Sequence, residues 1–381
     1  MNRFILNETS YHGRGAVKSI VKEVKARGYK KALICTTPEL IKFKVVDHVT
    51  SLLKKAKLPY EIYSNIKPNP TIENVQSGVK AMKKAKADYL IAIGGGSAID
   101  TAKGVGIIMN NPKNYDVRSL EGAERSVKKA LPIIAVPTTA GTAAEVTINY
   151  VITDTKKKRK FVCADPHDIP VIAVIDPVMM STMSKGLTAS TGMDALTHAI
   201  EGYITKGAWE LSDMFHLEAI RLISKYLRGA VKNTKDGRDG MALGQYIAGM
   251  GFSNVGLGIV HSMAHSLGAL YDTPHGVANA ILLPTIMKYN APATGEKYRE
   301  IARAMGVKNV DKMNQKQYRE AAIKAVAKLS KDVGIPSNLK KIMKAKDINF
   351  LTENALKDAC TPGNPRTPTK NDIVKLYKSL L

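Results

Sequence analysis

Five of the eight histidines in this chain fall between positions 198 and 275. Asp194 and His198 stand four apart, and His261 and His265 repeat that spacing. On a helix such a pair points from one face. His275 follows in Thr273-Pro274-His275-Gly276, near the start of a third helical pattern. One carboxylate and several imidazoles on facing helices make a four-ligand set for a divalent transition metal. The stretch from Gly256 to Ala269 is otherwise small and apolar, so its face should be buried. Two buried imidazoles one turn apart need polar partners, and a metal supplies one. By spacing alone His265 ranks beside His261 as a ligand. His12, His48, His167 and His216 have no comparable partner and read as structural. No cysteine lies near the cluster, which argues against a thiolate zinc site.

A second chemistry is written in glycines. Gly94-Gly95-Gly96-Ser97 stands where an apolar strand pattern passes into a helical one. Glycines allow close backbone approach, and the N–H groups and dipole of a helix N-terminus favour an anion such as phosphate. Ser97 with Asp100 resembles a capping box, although Asp replaces the usual Glu or Gln. The motif is not G-x-G-x-x-G, so a plain glycine-rich turn is the competing reading. A second loop, Thr138-Thr139-Ala140-Gly141-Thr142, follows the next strong strand and offers three hydroxyls beside a glycine. Two such loops at strand ends of one sheet point to a dinucleotide.

The elements that must position these residues alternate through the first half of the chain. Strand-like runs at 31–36, 60–63, 88–93, 132–137 and 171–175 are separated by helical periodicity at 38–55, 71–86 and 98–108. A hairpin pattern spans 148–163. That rhythm predicts a parallel sheet with helices on both faces. After about residue 183 the pattern is helical, at 187–204, 210–231, 239–254, 258–270, 276–290, 294–304, 316–333 and 370–380. The expected organisation is an α/β Rossmann-like domain over 1–183 and an all-α domain over 184–381.

Composition sets the outer bounds. At 381 residues, 44% hydrophobic and 24% charged, the chain has an ordinary globular make-up for two domains. No apolar run approaches the ~18 residues of a membrane span. Met1-Asn2-Arg3-Phe4-Ile5-Leu6 lacks the apolar core of a secretion signal and reads as a short strand. Cys35, Cys163 and Cys360 are scattered and odd in number, which suits a reducing cytoplasm rather than a disulfide framework. The net charge of +24 raises a nucleic-acid role. Yet the lysines are spread in short clusters at helix-face spacings and aromatics are only 6%, which favours a solvated surface.

Asp194-Ala195-Leu196-Thr197-His198-Ala199-Ile200-Glu201, His261-Ser262-Met263-Ala264-His265 and Pro274-His275-Gly276 together resemble the signatures of the iron-containing alcohol dehydrogenases. The likeness covers nearly the whole chain, including the run from Pro137 to Asp154 and Gly363-Asn364-Pro365-Arg366. It implies the dehydroquinate synthase-like architecture, with Asp194, His198, His261 and His275 holding Fe²⁺. It also implies that Thr37, Asn69, Gly95, Gly96, Ser97, Asp100, Thr138, Thr139, Thr142, Asn149, Lys160 and Leu187 line NAD. His265 is then beside the nicotinamide as the catalytic proton-handling residue and not on the metal, against the spacing argument. The implied reaction is hydride transfer between NAD(P)(H) and a short alcohol, diol or aldehyde, with lactaldehyde and 1,2-propanediol the expected pair. The implied assembly is a homodimer joined through the N-terminal strand at Phe4-Ile5-Leu6. Glu201 is either a support behind the ligands or an ion-paired helix residue.

Two departures from the pattern stand out. Thr37 replaces an acid that close NAD-using relatives carry after the strand, so NADP is expected to be accepted as well. Ser262 and Ser266 replace a glycine and a proline around the histidine pair. A zinc-dependent polyol dehydrogenase of the glycerol type is the rival enzyme. A basic nucleic-acid-binding protein on the same fold is the rival non-enzyme.

Overall fold

The structure is a computed structural model that describes residues 1–381. It divides into two compact units: Met1–Lys157 with Phe161–Met183, and Ser184–Leu381 with Lys158–Lys160.

The first unit is built on a six-stranded sheet in the order β1-β9-β6-β4-β2-β3, with every pair parallel. Its strands are β1 (Thr9–His12), β2 (Ala32–Cys35), β3 (Tyr60–Tyr63), β4 (Tyr89–Gly94), β6 (Ile133–Pro137) and β9 (Ile172–Ile175). A smaller sheet joins β5 (Gly122–Ala123), β8 (Arg159–Ala164) and β7 (Asn149–Asp154). The helices are α1 (Ser19–Ala26), α2 (Pro38–Lys42), α3 (Asp47–Lys55), α4 (Ile72–Ala85) and α5 (Gly96–Asn110). β4 and β6 are buried along their whole length, as unbroken apolar runs in a covered parallel sheet should be. Alternate side chains feed two cores. Leu33, Leu90, Ala92 and Ala135 pack with Val75, Val79, Ala102 and Val105, whereas Ile34, Ile91, Ile134 and Val136 pack with Ile20, Val24, Val49 and Leu53.

The second unit is helical: α6 (Lys185–Ile204), α7 (Glu210–Val231), α8 (Lys235–Val255), α9 (Ile259–Tyr271), α10 (His275–Asn290), α11 (Lys297–Ala304), α12 (Gln315–Asp332), α13 (Ile348–Lys357) and α14 (Lys370–Lys378). Ser184 caps α6 through the Leu187 N–H, and Thr369 with Asp372 forms a capping box on α14.

Four sequence expectations need correction. Residues 1–6 form no strand, and the first strand is Thr9–His12, paired with β9. The helix expected over 38–55 is two helices, because the chain turns at Lys44 in the left-handed region (φ 59°). Ser97 is not a cap. Gly95 caps α5, Ser97 lies inside the helix, and Asp100 instead accepts the Val151 N–H at 3.1 Å. Helix α13 has no counterpart in the sequence reading.

Candidate metal centre and cofactor loops

In the helical unit, four side chains converge from three helices. Asp194 and His198 come from α6, His261 from α9 and His275 from the first residue of α10. One ligand atom from each lies within 4.8 Å of all the others. Asp194, His198 and His261 are buried, and His275 is partly so. Burial pulls the His261 and His275 pKa values well below the ordinary range, so both rings are neutral. Burial raises that of Asp194, opposed by His198 and by a hydrogen bond from Asn279. Neutral imidazoles and one carboxylate in a water-poor site form a donor set suited to a divalent cation, and the residues present fit one.

The supporting groups are as well defined as the ligands. Phe252 stacks on His198 at 4.2 Å, and His198 stacks on His261 at 4.5 Å. Glu201 lies one turn past His198, and its Oε2 is 2.6 Å from His261 Nδ1. The same carboxylate accepts the Val260 N–H at 2.7 Å and the His261 N–H at 3.4 Å, capping α9. Burial pushes its pKa up to about 7 against those backbone bonds. Gly258 is required for this cap, since a Cβ there would meet Glu201 Oε1 at 2.8 Å. Of the two roles open to Glu201, the geometry matches a support for the imidazole, since both its oxygens already accept backbone N–H groups and Oε2 faces His261 Nδ1 as an acceptor. His261 then carries its proton on Nδ1 and turns the Nε2 lone pair toward the other ligands. Asn279 Nδ2 lies 2.6 Å from Asp194 Oδ1, 3.2 Å from His261 Nε2 and 3.1 Å from His275 Nε2.

His265 is placed differently from its spacing partner. It does not belong to the four-atom group, and its Nδ1 pairs with Asp358 Oδ2 at 2.8 Å. Burial works to raise the Asp358 pKa, but the His265 charge and hydrogen bond and the Cys360 N–H overcome it and leave it at about 2. Asp358 therefore fixes the ring orientation of His265 as Glu201 fixes that of His261. A cavity of about 240 Å³ opens here, lined by Arg159, Lys160, His265, Ser266, Lys357 and Asp358 among others. Sequence reasoning missed Asp358 and Asn279. Asn279 stands one turn past His275, and that spacing was its only available signal. Asp358 lies 93 residues from its partner and carried none.

In the α/β unit the expected cofactor residues gather at strand ends. Gly95, Gly96 and Ser97 open α5 after β4, and Thr138, Thr139 and Thr142 follow β6. The Thr138 N–H bonds Gly94 O at 2.9 Å, joining the loops. A Cβ on Gly96 would meet Thr142 Cγ2 at 3.0 Å, so the backbone runs against the threonines without room for a side chain. Thr37 lies two residues past β2 as the N-cap of α2, and Asn69 turns the chain before α4 with φ 54°. Asn149 begins β7, held by its carbonyl: Lys103 Nζ donates to Asn149 O at 2.8 Å and also to Thr147 O. Lys103 and Asp168 are fully buried, 3.7 Å apart. Lys160 and Leu187 lie in the helical unit with His265.

Residues 7–177 match the model for iron-containing alcohol dehydrogenases, and residues 188–381 match that for the C-terminal part of the same family. The chain is 59% identical over 377 residues to lactaldehyde reductase of Escherichia coli (strain K12), covering 99% of this chain and 98% of that protein. Among solved structures, a 1,3-propanediol oxidoreductase superposes with a TM-score of 0.96 at 38% identity, covering 100% of both chains. An alcohol dehydrogenase from Oenococcus oeni also gives 0.96, at 40% identity and the same coverage.

Proposed function

This chain belongs to the iron-containing alcohol dehydrogenase family and is an oxidoreductase of alcohols and aldehydes, and from that premise we propose that it interconverts lactaldehyde and 1,2-propanediol with NAD(H), using iron. The observation that carries the reading is the convergence of Asp194, His198, His261 and His275 within 4.8 Å, in a chain 59% identical to a lactaldehyde reductase. A bound divalent metal supplies Lewis acidity at the substrate oxygen, and a bound nicotinamide supplies or takes the hydride.

The protein's own residues do the rest. Glu201 and Asn279 hold three of the four ligand side chains in their orientation before substrate arrives. The N-terminus of α5, with the threonines after β6, presents backbone N–H groups and hydroxyls to a pyrophosphate. Lys103 holds the backbone at Asn149, a residue assigned to the same cofactor. His265, fixed by Asp358, is assigned to hold or pass a proton at Nε2. Lys160 shares its cavity and adds a cation for the cofactor's anionic part. Thr37 offers a neutral hydroxyl where an acid would repel a 2′-phosphate, which supports use of NADP beside NAD.

Assembly is assigned to a homodimer joined through residues 1–6. They lie outside the sheet, and β1 is its edge strand. Deleting residues 1–6 should give monomer or aggregate by light scattering; an unchanged dimer would remove the segment from that role. All three cysteines are free, as suits the reducing cytoplasm assigned here.

The test of the reaction is NADH oxidation by anaerobically purified protein, with metal analysis, on lactaldehyde, propanal, glyceraldehyde and glycolaldehyde. The highest kcat/KM should fall on lactaldehyde with iron in the protein. A preference for glyceraldehyde with zinc retained would favour a glycerol-type polyol dehydrogenase, and activity on none of them would end the proposal.

A further inference from the structure

Asn279 is buried without measurable exposure at the point where the candidate metal ligands meet. It stands one turn past His275 on α10, so its side chain shares the face that presents that imidazole. Its Nδ2 is within hydrogen-bond reach of Asp194 Oδ1, His261 Nε2 and His275 Nε2 at 2.6, 3.2 and 3.1 Å. Only the NH₂ end of the amide can face such a set. His261 commits its Nδ1 proton to Glu201, so its Nε2 is a lone pair, and Asp194 offers an oxygen. Turning the carbonyl inward would oppose acceptor to acceptor. The cost of this orientation falls on Asn279 Oδ1, which is buried and has no hydrogen-bond partner. An unmet buried carbonyl is costly, and a fold retains it where something else is gained.

We propose that Asn279 is a positioning residue of the metal centre: its amide gathers Asp194, His261 and His275 around one point in the metal-free protein and yields the two imidazole nitrogens when a cation takes them. Two amide protons are shared among three acceptors, so no one of these bonds is strong except that to the Asp194 carboxylate. The imidazole lone pairs are released at low cost, and the bond to Asp194 persists and orients that carboxylate. The ligands therefore pay little ordering entropy on binding. This inference rests on the metal-site reading and adds to it a group that is not itself a ligand.

The test uses Co²⁺ as the probe, titrated into the metal-free full chain, with its visible absorption reporting coordination and chelator competition giving Kd. Asn279→Ala and the volume-preserving Asn279→Leu should each weaken Co²⁺ binding at least tenfold, the scale of lost outer-shell support. Asn111→Ala removes a buried amide that bonds Ile107 O and Lys128 O in the other unit, and should leave Kd unchanged. In the wild-type protein, labelled asparagine NH₂ resonances should show one pair moving when diamagnetic Zn²⁺ is added, and that pair should be absent in Asn279→Leu. Wild-type binding matched within threefold by both variants, or an Asn279 resonance that Zn²⁺ does not move, would overturn the proposal. Failure of the wild-type chain to bind Co²⁺ at all would instead overturn the metal-site reading beneath it.

Discussion

The glycine loop and the metal cluster solve opposite problems. The loop site is made mostly of backbone: Gly95 and Gly96 at the start of α5, lying against Thr139 and Thr142 after β6. The cluster is made wholly of side chains, brought from three helices across 82 positions (194 to 275). A backbone site can lose most side chains and keep its donors. A side-chain site fails when one ligand is removed, and it needs carboxylates and amides behind it to hold each ring. Glu201 behind His261 is such a support and Asn279 is proposed as another, and the loop has no equivalent need.

The strongest way to break this contrast is to remove one ligand. His261→Ala should lower kcat/KM at least ~10³-fold with loss of bound metal, the scale of lost electrostatic stabilisation. His216→Ala, outside the cluster, should leave metal content intact and cost far less activity. Equal effects would put the centre elsewhere.

His216 also separates an imidazole with polar partners from one without. It is fully buried, neither ring nitrogen is hydrogen-bonded, and burial with the nearby Lys297 charge lowers its pKa to about 3. A lowered histidine keeps the folded state neutral while the unfolded chain takes up a proton below about pH 6.5. Stability is therefore intact above pH 6.5 and declines by up to about 5 kcal/mol as pH falls toward 3. His216→Leu should flatten that acid limb in urea unfolding between pH 7 and 4. An unchanged slope would mean the ring is solvated.

On the loop side, Gly96→Ala would set a Cβ 3.0 Å from Thr142 Cγ2 and should raise the KM for NADH about tenfold, roughly 1.4 kcal/mol, with metal content unchanged. Ser97→Ala should do little, because the helix N-terminus and not the hydroxyl is the donor. A larger effect from Ser97 would make this a side-chain site after all.

The same distinction decided what could be read from the sequence. The sheet was legible because β4 and β6 are apolar runs buried on both faces, and local alternation carries that signal. Asp194, His198, His261 and His275 were legible as residue types at helical spacing. Which four would meet was not, since spacing alone paired His265 with His261 and only the resemblance separated them. The structure turns His265 toward Asp358, a contact 93 residues away that no periodicity encodes. The capping box at Ser97 failed for a related reason: Asp100 serves β7 through the Val151 N–H, and tertiary demand overrode a local motif. Residues 4–6 are apolar like a strand, yet the first paired strand is Thr9–His12, because register is fixed by the partner strand β9.

The smallest expected effect lies at the end of β2. With a hydroxyl and no carboxylate at Thr37, kcat/KM for NAD(H) over NADP(H) should be below about 100-fold. Thr37→Asp should widen that ratio at least about tenfold, chiefly through poorer use of NADP. A wild-type ratio above ~1000-fold, unmoved by the substitution, would show that another residue reads the ribose.

The central claim is that the four-residue cluster holds the metal on which the reaction depends. Its most direct test is to strip the protein with a chelator under anaerobic conditions and follow lactaldehyde reduction as Fe²⁺ is returned, beside the His261→Ala variant. Activity should vanish in the stripped wild-type chain, return in proportion to one Fe²⁺ bound per chain, and fail to return in the variant. Full activity in the metal-free protein, or equal recovery by His261→Ala, would contradict it.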